Sequence, residues 1–206
     1  MPRSADVSEL LEPPTATAGL ALEVARRWCS PALVNHCLRS WVWAKTLGET
    51  LGLAVDDELL YVAAMLHDLG VTEPFDAHRL PFESSGGAAA WTFAAGAGWA
   101  ASRRDRVMEV IERHMWVSVD PAEDPEGFLL ETATSLDVAH ANPEQWDASL
   151  RRDVTARLPR LGFGGEFDAA IGAQASRKPA STAARLHASG RIGRGDAAWA
   201  DESQTS

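Results

Sequence analysis

Apolar residues return every three to four positions along most of this chain, and nowhere do they alternate with polar ones for long enough to suggest a strand. That periodicity confines the fold to packed helices, an all-α class. Leu20, Val24 and Trp28 mark one helix, with Pro31 opening the next segment. Val34, Leu38, Trp41, Lys45 and Leu47 carry that segment to a turn at Gly52. Asp56 is placed to cap a third helix through Leu59, Leu60, Val62, Ala63 and Leu66, with Gly70 expected as its C′ residue. A loop is expected over 71–81, followed by an Ala- and Gly-rich stretch from Glu83 to Ala101 suited to close helix packing. Val107, Val110, Ile111 and His114 then share one stripe, while Leu129, Ala133, Leu136 and His140 mark another helix with Asp137 beside its buried face. Pro143 is expected to open a helix carrying Trp146, Leu150, Val154 and Leu158, and shorter helices follow around Phe167 to Ala175 and from Ser181 to Ser189, stopped by Gly190.

Composition narrows the function classes. With 206 residues, 46% of them hydrophobic and 23% charged, the chain can bury a core, and it has no long charge-free run to cross a membrane. The 19 Lys and Arg against 29 Asp and Glu leave a net charge of −10, which works against binding a nucleic acid. The two cysteines, Cys29 and Cys37, make neither a disulfide framework nor a thiolate metal knuckle and are expected as reduced thiols. Met1-Pro2-Arg3 opens no apolar export stretch, so a cytoplasmic location is expected.

His67-Asp68 ends the apolar run Ala63-Ala64-Met65-Leu66, and burying a carboxylate there is costly unless it is paired or bound to a cation. Taken alone, the pair reads as a helix cap and a core hydrogen bond. Its context adds weight: His36, His114 and Asp137 each lie on or beside the apolar stripe of a different helix, so a bundle would turn them inward together. Imidazole and carboxylate donors suit a divalent zinc or iron.

The ordered set His36, His67-Asp68 within Leu66–Gly70, and Asp137 within Ser135–Val138 resembles the HD-domain superfamily of metal-dependent hydrolases, whose pattern is His … His-Asp … Asp on an all-helical fold. The flanks are similar to its cyanamide hydratase-like branch. Asn35-His36 with Arg39, Trp41 and Trp43 carries that likeness, as do Phe82-Glu83 before a Gly-Ala segment and Val110-Ile111-Glu112-Arg113-His114. Pro159 to Phe163 and Arg177-Lys178-Pro179 extend it toward the C-terminus. The resemblance implies one HD-type domain over residues 1–190, with its core over about 32–140 and a helical extension over 143–190. Residues 191–206, polar around a lone Trp199, are expected as a flexible tail.

For the site, the resemblance implies one divalent metal, zinc before iron or manganese, held by His36, His67, Asp68 and Asp137. Superfamily members with two metals place two more histidines between the His-Asp pair and the last aspartate, where this chain has Glu83 and His114. Those two are then expected to act on substrate or water, with a second cation at Asp68, Glu83 and His114 as the alternative. Arg39, three residues after His36, is expected to orient a substrate or a buried carboxylate unless it is a surface arginine. His78, His140 and His187 read as ordinary polar residues, Cys37 as facing away from the site, and Trp41, Trp43, Trp91 and Trp99 as core or pocket walls. The implied activity is addition of metal-activated water to a small nitrogen-containing substrate such as cyanamide, Asp68 or Glu83 shuttling the proton. The alternative is a phosphohydrolase, which would draw on Arg39, Arg79 or Arg113. A di-iron oxidative site and a helical binding module with a structural metal are further readings. The expected partners are a small-molecule substrate and a second copy of the chain, with no nucleic acid and no membrane.

Overall fold

Eleven α-helices and three short 3-10 turns realise the periodicity, and no strand occurs among the described residues, 7–204 of this computed structural model. The expectation drawn from Met1-Pro2-Arg3 and the last two residues of the expected tail lie outside the described residues. In chain order the helices are α1 (Val7–Leu10), α2 (Ala16–Trp28), α3 (Pro31–Leu51), α4 (Asp57–Leu66), α5 (Phe82–Gly96) and α6 (Ala101–Arg113). There follow α7 (Pro125–Ala139), α8 (Ala148–Arg157), α9 (Phe163–Arg177), α10 (Thr182–Ser189) and α11 (Arg191–Gln204). Among the described residues no helix is long and apolar enough to cross a membrane.

Local chemistry sets five of the helix starts. Thr15, Ser30, Asp56, Asp124 and Ser181 each accept a hydrogen bond from a backbone N–H in the first turn of the helix they precede, which satisfies a donor the helix cannot. The 21-residue α3 is the spine, with α4 and α7 packed along it, and α5 and α6 form a hairpin beside α4. Every residue of α4 from Leu59 to Leu66 is buried, because α2, α3 and α6 surround it; an apolar circumference needs cover on all sides.

Three expectations are corrected. Helix α4 ends at Leu66 with His67 as its cap, and Gly70 lies in a 3-10 turn, Leu69–Val71, rather than at a left-handed C′ position. Its role is steric: a Cβ on Gly70 would sit 2.0 Å from the Phe82 carbonyl oxygen, so only glycine lets this turn cross the start of α5. Pro143 opens only a 3-10 turn, Pro143–Gln145, because Trp146 takes extended backbone and α8 starts after it. The expected tail is α11. Its polar composition conceals a narrow stripe of Ile192, Gly195 and Trp199, all buried, and a Cβ on Gly195 would lie 2.4 Å from the Val138 carbonyl oxygen of α7. Close backbone contact through Gly195 seats Trp199 in the core, against Trp43 and the ring of His140.

Candidate metal centre

His36 comes from the first third of α3, His67 caps α4, and Asp68 begins the turn after it; each is about 1% exposed. The His67 Nδ1 lies 2.8 Å from the Ala64 carbonyl oxygen, which can only accept, so that nitrogen carries the proton. His36 Nδ1 donates in the same way to Asp137 Oδ2 at 2.7 Å. In their neutral forms both imidazoles therefore turn an Nε2 lone pair inward. The two Nε2 atoms are 3.1 Å apart, and Asp68 Oδ2 lies 3.4 Å from one and 3.2 Å from the other. Neither oxygen of Asp68 has a hydrogen-bond partner, although both are buried. Three converging acceptors and an orphaned carboxylate fit a cation, since ligands about 2.0–2.2 Å from a tetrahedral zinc lie roughly 3.3 Å from one another. Burial opposes charging His36, yet Asp137 and Asp68 outweigh it and hold its pKa above the ordinary imidazole value. Burial also opposes charge on Asp68, but His67 and His36 beside it keep the carboxyl far below its usual range.

Asp137, expected as a fourth ligand, stands behind the His36 ring instead of among the converging atoms. Arg39, fully buried, grips both its oxygens, Nε to Oδ1 at 2.7 Å and Nη2 to Oδ2 at 2.7 Å, and also donates to the Leu158 carbonyl at 3.0 Å. Trp43 Nε1 donates to Oδ1 at 3.2 Å, while Arg160 Nη1 and Trp199 Nε1 donate to the Asp137 backbone carbonyl at 2.9 and 3.1 Å. Burial works against this charge, and Arg39 overrides it, so Asp137 stays ionised well below the ordinary range. With its lone pairs spoken for, Asp137 orients an imidazole and sharpens its basicity. The same contacts decide between the two roles open to Arg39: it holds a buried carboxylate and does not line the cavity, so the expected catalytic role in contacting substrate is not realised. Phe163 stacks on the other face of His36, with centroids 4.4 Å apart and planes 12° off parallel.

Over the triad opens a cavity of about 560 Å³, walled by Phe128, Val138 and Phe167 and by the neutral polar Thr182. His114 joins this wall, its ring 5.0 Å from that of His67. Its Nδ1 donates to the Ile111 carbonyl, leaving Nε2 as an acceptor, and burial with the nearby His67 pushes its pKa down to about 3. Glu83 is not brought to the triad. Its Oε1 accepts from Thr182 Oγ1 at 2.5 Å, its Oε2 is buried without a partner, and burial raises its pKa. Among the described residues, His36, His67 and Asp68 are the only group of three or more such donors within 4.8 Å, so the second cation set of Asp68, Glu83 and His114 is not assembled.

Of the arginines weighed for phosphate, Arg113 is taken by Asp124 at 2.6 Å and Arg79 is not in the wall; Arg185 and Arg191 are. His140 pairs with Glu202 at 2.9 Å and His187 with Asp168 at 3.3 Å, the ordinary roles expected of them. Nothing periodic or motif-like distinguishes Thr182 in the sequence, Arg160 stands there only inside a family-like Pro-Arg-Leu-Gly-Phe run, and Trp199 only as a lone aromatic in an expected tail. Phe163 stood only at the end of a family-like Pro-Arg-Leu-Gly-Phe run.

The HD domain family matches residues 33–116, a span that holds His36, His67, Asp68, Glu83 and His114 and stops short of Asp137. Two cyanamide hydratases of Saccharomyces cerevisiae, DDI2 and DDI3, are each 28% identical to the chain over 171 residues, which is 81% of this chain and 76% of theirs. HD domains bind divalent metal, and the triad is placed to do so. The ordered donors, the all-helical frame and these matches agree: residues 33–116 match the HD domain, and the chain is similar to cyanamide hydratases across 81% of its length.

Proposed function

We propose that the chain hydrates a small nitrile-type substrate, cyanamide or a close analogue, with His36, His67 and Asp68 as the protein ligands of one zinc ion. The observation that carries this reading is the convergence of His36 Nε2, His67 Nε2 and an Asp68 carboxylate oxygen on the floor of the cavity. A divalent ion held there by His36, His67 and Asp68 would lower the pKa of water toward neutrality. Everything else falls to the chain. Asp68 has one oxygen for the ion and a second, unpartnered, to take the proton of the attacking water and return it to the nitrile nitrogen. Water thus adds its oxygen to carbon and its two hydrogens to nitrogen after tautomerisation, so cyanamide becomes urea with no net proton released. His114, kept neutral, offers Nε2 as an acceptor that orients water or an amino group. Asp137 and Phe163 hold His36 in register from behind.

The test is elemental analysis of protein purified without chelator, combined with a urea-release assay on cyanamide. About one zinc per chain and urea formation are expected. No metal after reconstitution, or a loaded protein that leaves cyanamide intact, overturns the reading. Arg185 and Arg191 in the cavity wall favour a second reading, hydrolysis of a phosphate monoester. Release of phosphate by a loaded protein inert toward cyanamide establishes that one instead.

A further inference from the structure

Thr182 is the first residue of α10, directly after the N-cap Ser181, and lines the cavity over the triad. Its hydroxyl donates to Glu83 Oε1, and Glu83, at the start of α5, is only 6% exposed. A hydroxyl has one proton and two lone pairs. With that proton committed to a buried carboxylate, Oγ1 can show the cavity only lone pairs. Such an atom binds an N–H and repels a group that can only accept. The arrangement holds while Glu83 is ionised. Burial pushes its carboxyl up, Thr182, its own backbone N–H and Arg185 of α10 pull it down, and Glu112 of α6 pushes it up again.

We propose that Thr182 determines specificity: its hydroxyl, given a fixed polarity by Glu83, accepts an N–H of the substrate, so the site selects nitriles that carry a free amino hydrogen. This rests on the hydratase reading above and names the substrate feature it would recognise. Glu83 is then a positioning residue that acts through Thr182.

The experiment compares cyanamide, N-methylcyanamide and N,N-dimethylcyanamide, one electrophile with two, one and no N–H groups, on the metal-loaded full chain. The wild type should lose little kcat/KM at the first methyl and about 100-fold or more at the second, because a site built to accept a hydrogen bond is left unpaired by an analogue that lacks the donor. Thr182→Val, checked for unchanged metal content and Tm, should lose about 100-fold on the first two substrates and little on the third, flattening the series. Thr182→Ser should restore the series, and Glu83→Gln should narrow it, because a carboxamide N–H can turn the hydroxyl round. A Thr182→Val protein that keeps the wild-type series, or falls equally on all three substrates, overturns the inference and leaves the hydratase reading standing. A loaded wild type that makes no urea from cyanamide overturns the hydratase reading, and this inference falls with it.

Discussion

The two sides of the His36 ring are built on opposite principles. On the Nε2 side, two imidazole nitrogens and a carboxylate oxygen crowd together, and both oxygens of Asp68 are orphaned in a buried place. On the Nδ1 side, Asp137 collects donors from His36, Arg39, Trp43, Arg160 and Trp199 on its carboxylate and carbonyl. A metal-free chain carries the first side at a cost and the second as a gain, because unpaired buried acceptors destabilise and saturated ones rigidify. In the proposed function the difference separates the roles: the poor side binds an ion, and the rich side holds the ligand that binds it.

Perturbing each side sharpens this contrast. The largest effect is expected from His67→Ala, which removes one of three converging donors. Metal content should fall to background and urea formation by at least about 1000-fold, since catalytic zinc sites need three protein ligands. Elemental analysis and turnover check it together, and a metal-replete, active variant would break the assignment of the poor side. Next comes Arg39→Met, which strips the main partner from a fully buried carboxylate; about 3–5 kcal/mol of stability should be lost, as for other broken buried pairs. Urea unfolding of the variant measures this, and a loss below about 1 kcal/mol would mean that the rich side is not what holds α3 to α7.

A smaller change separates orientation from ligation. Asp137→Asn leaves His36, His67 and Asp68 in place but weakens the brace on His36, and metal affinity should fall about 10–100-fold, the usual effect of losing a carboxylate behind a metal-bound histidine. Competition with a chelator of known affinity reads it out. Complete loss of metal at saturating zinc would make Asp137 a ligand after all and erase the contrast between the two sides. The smallest effect is expected from Trp199→Phe, which keeps the ring and removes one of two N–H donors to the Asp137 carbonyl. Because Arg160 still donates there, the cost should be about 1 kcal/mol in thermal unfolding.

Much of this was legible in advance, for a local reason. Helix caps such as Asp56 and Ser181 act within three residues, and the apolar stripes repeat within one turn, so the frame could be read from neighbours in sequence. Trp199 was misread for the opposite reason: its helix is polar except for a stripe that makes sense only against α7, and its indole bonds a residue 62 positions away. Arg39 shows the same limit. Sequence brought it near His36, but the choice between substrate and carboxylate depended on Asp137, 98 residues on.

The residues alone determined the all-helical class, the order His36, His67-Asp68, Asp137, and through that order the likeness to the HD-domain superfamily, because helix periodicity and donor chemistry are properties of short stretches and side-chain types. Only the tertiary structure decided which side of His36 Asp137 occupies, that Glu83 answers to Thr182 rather than to the triad, and that α11 closes the core. Each of those depends on the direction in which a side chain leaves its helix once the helices have packed. That direction is set by contacts between segments far apart in the chain, to which no local pattern is sensitive.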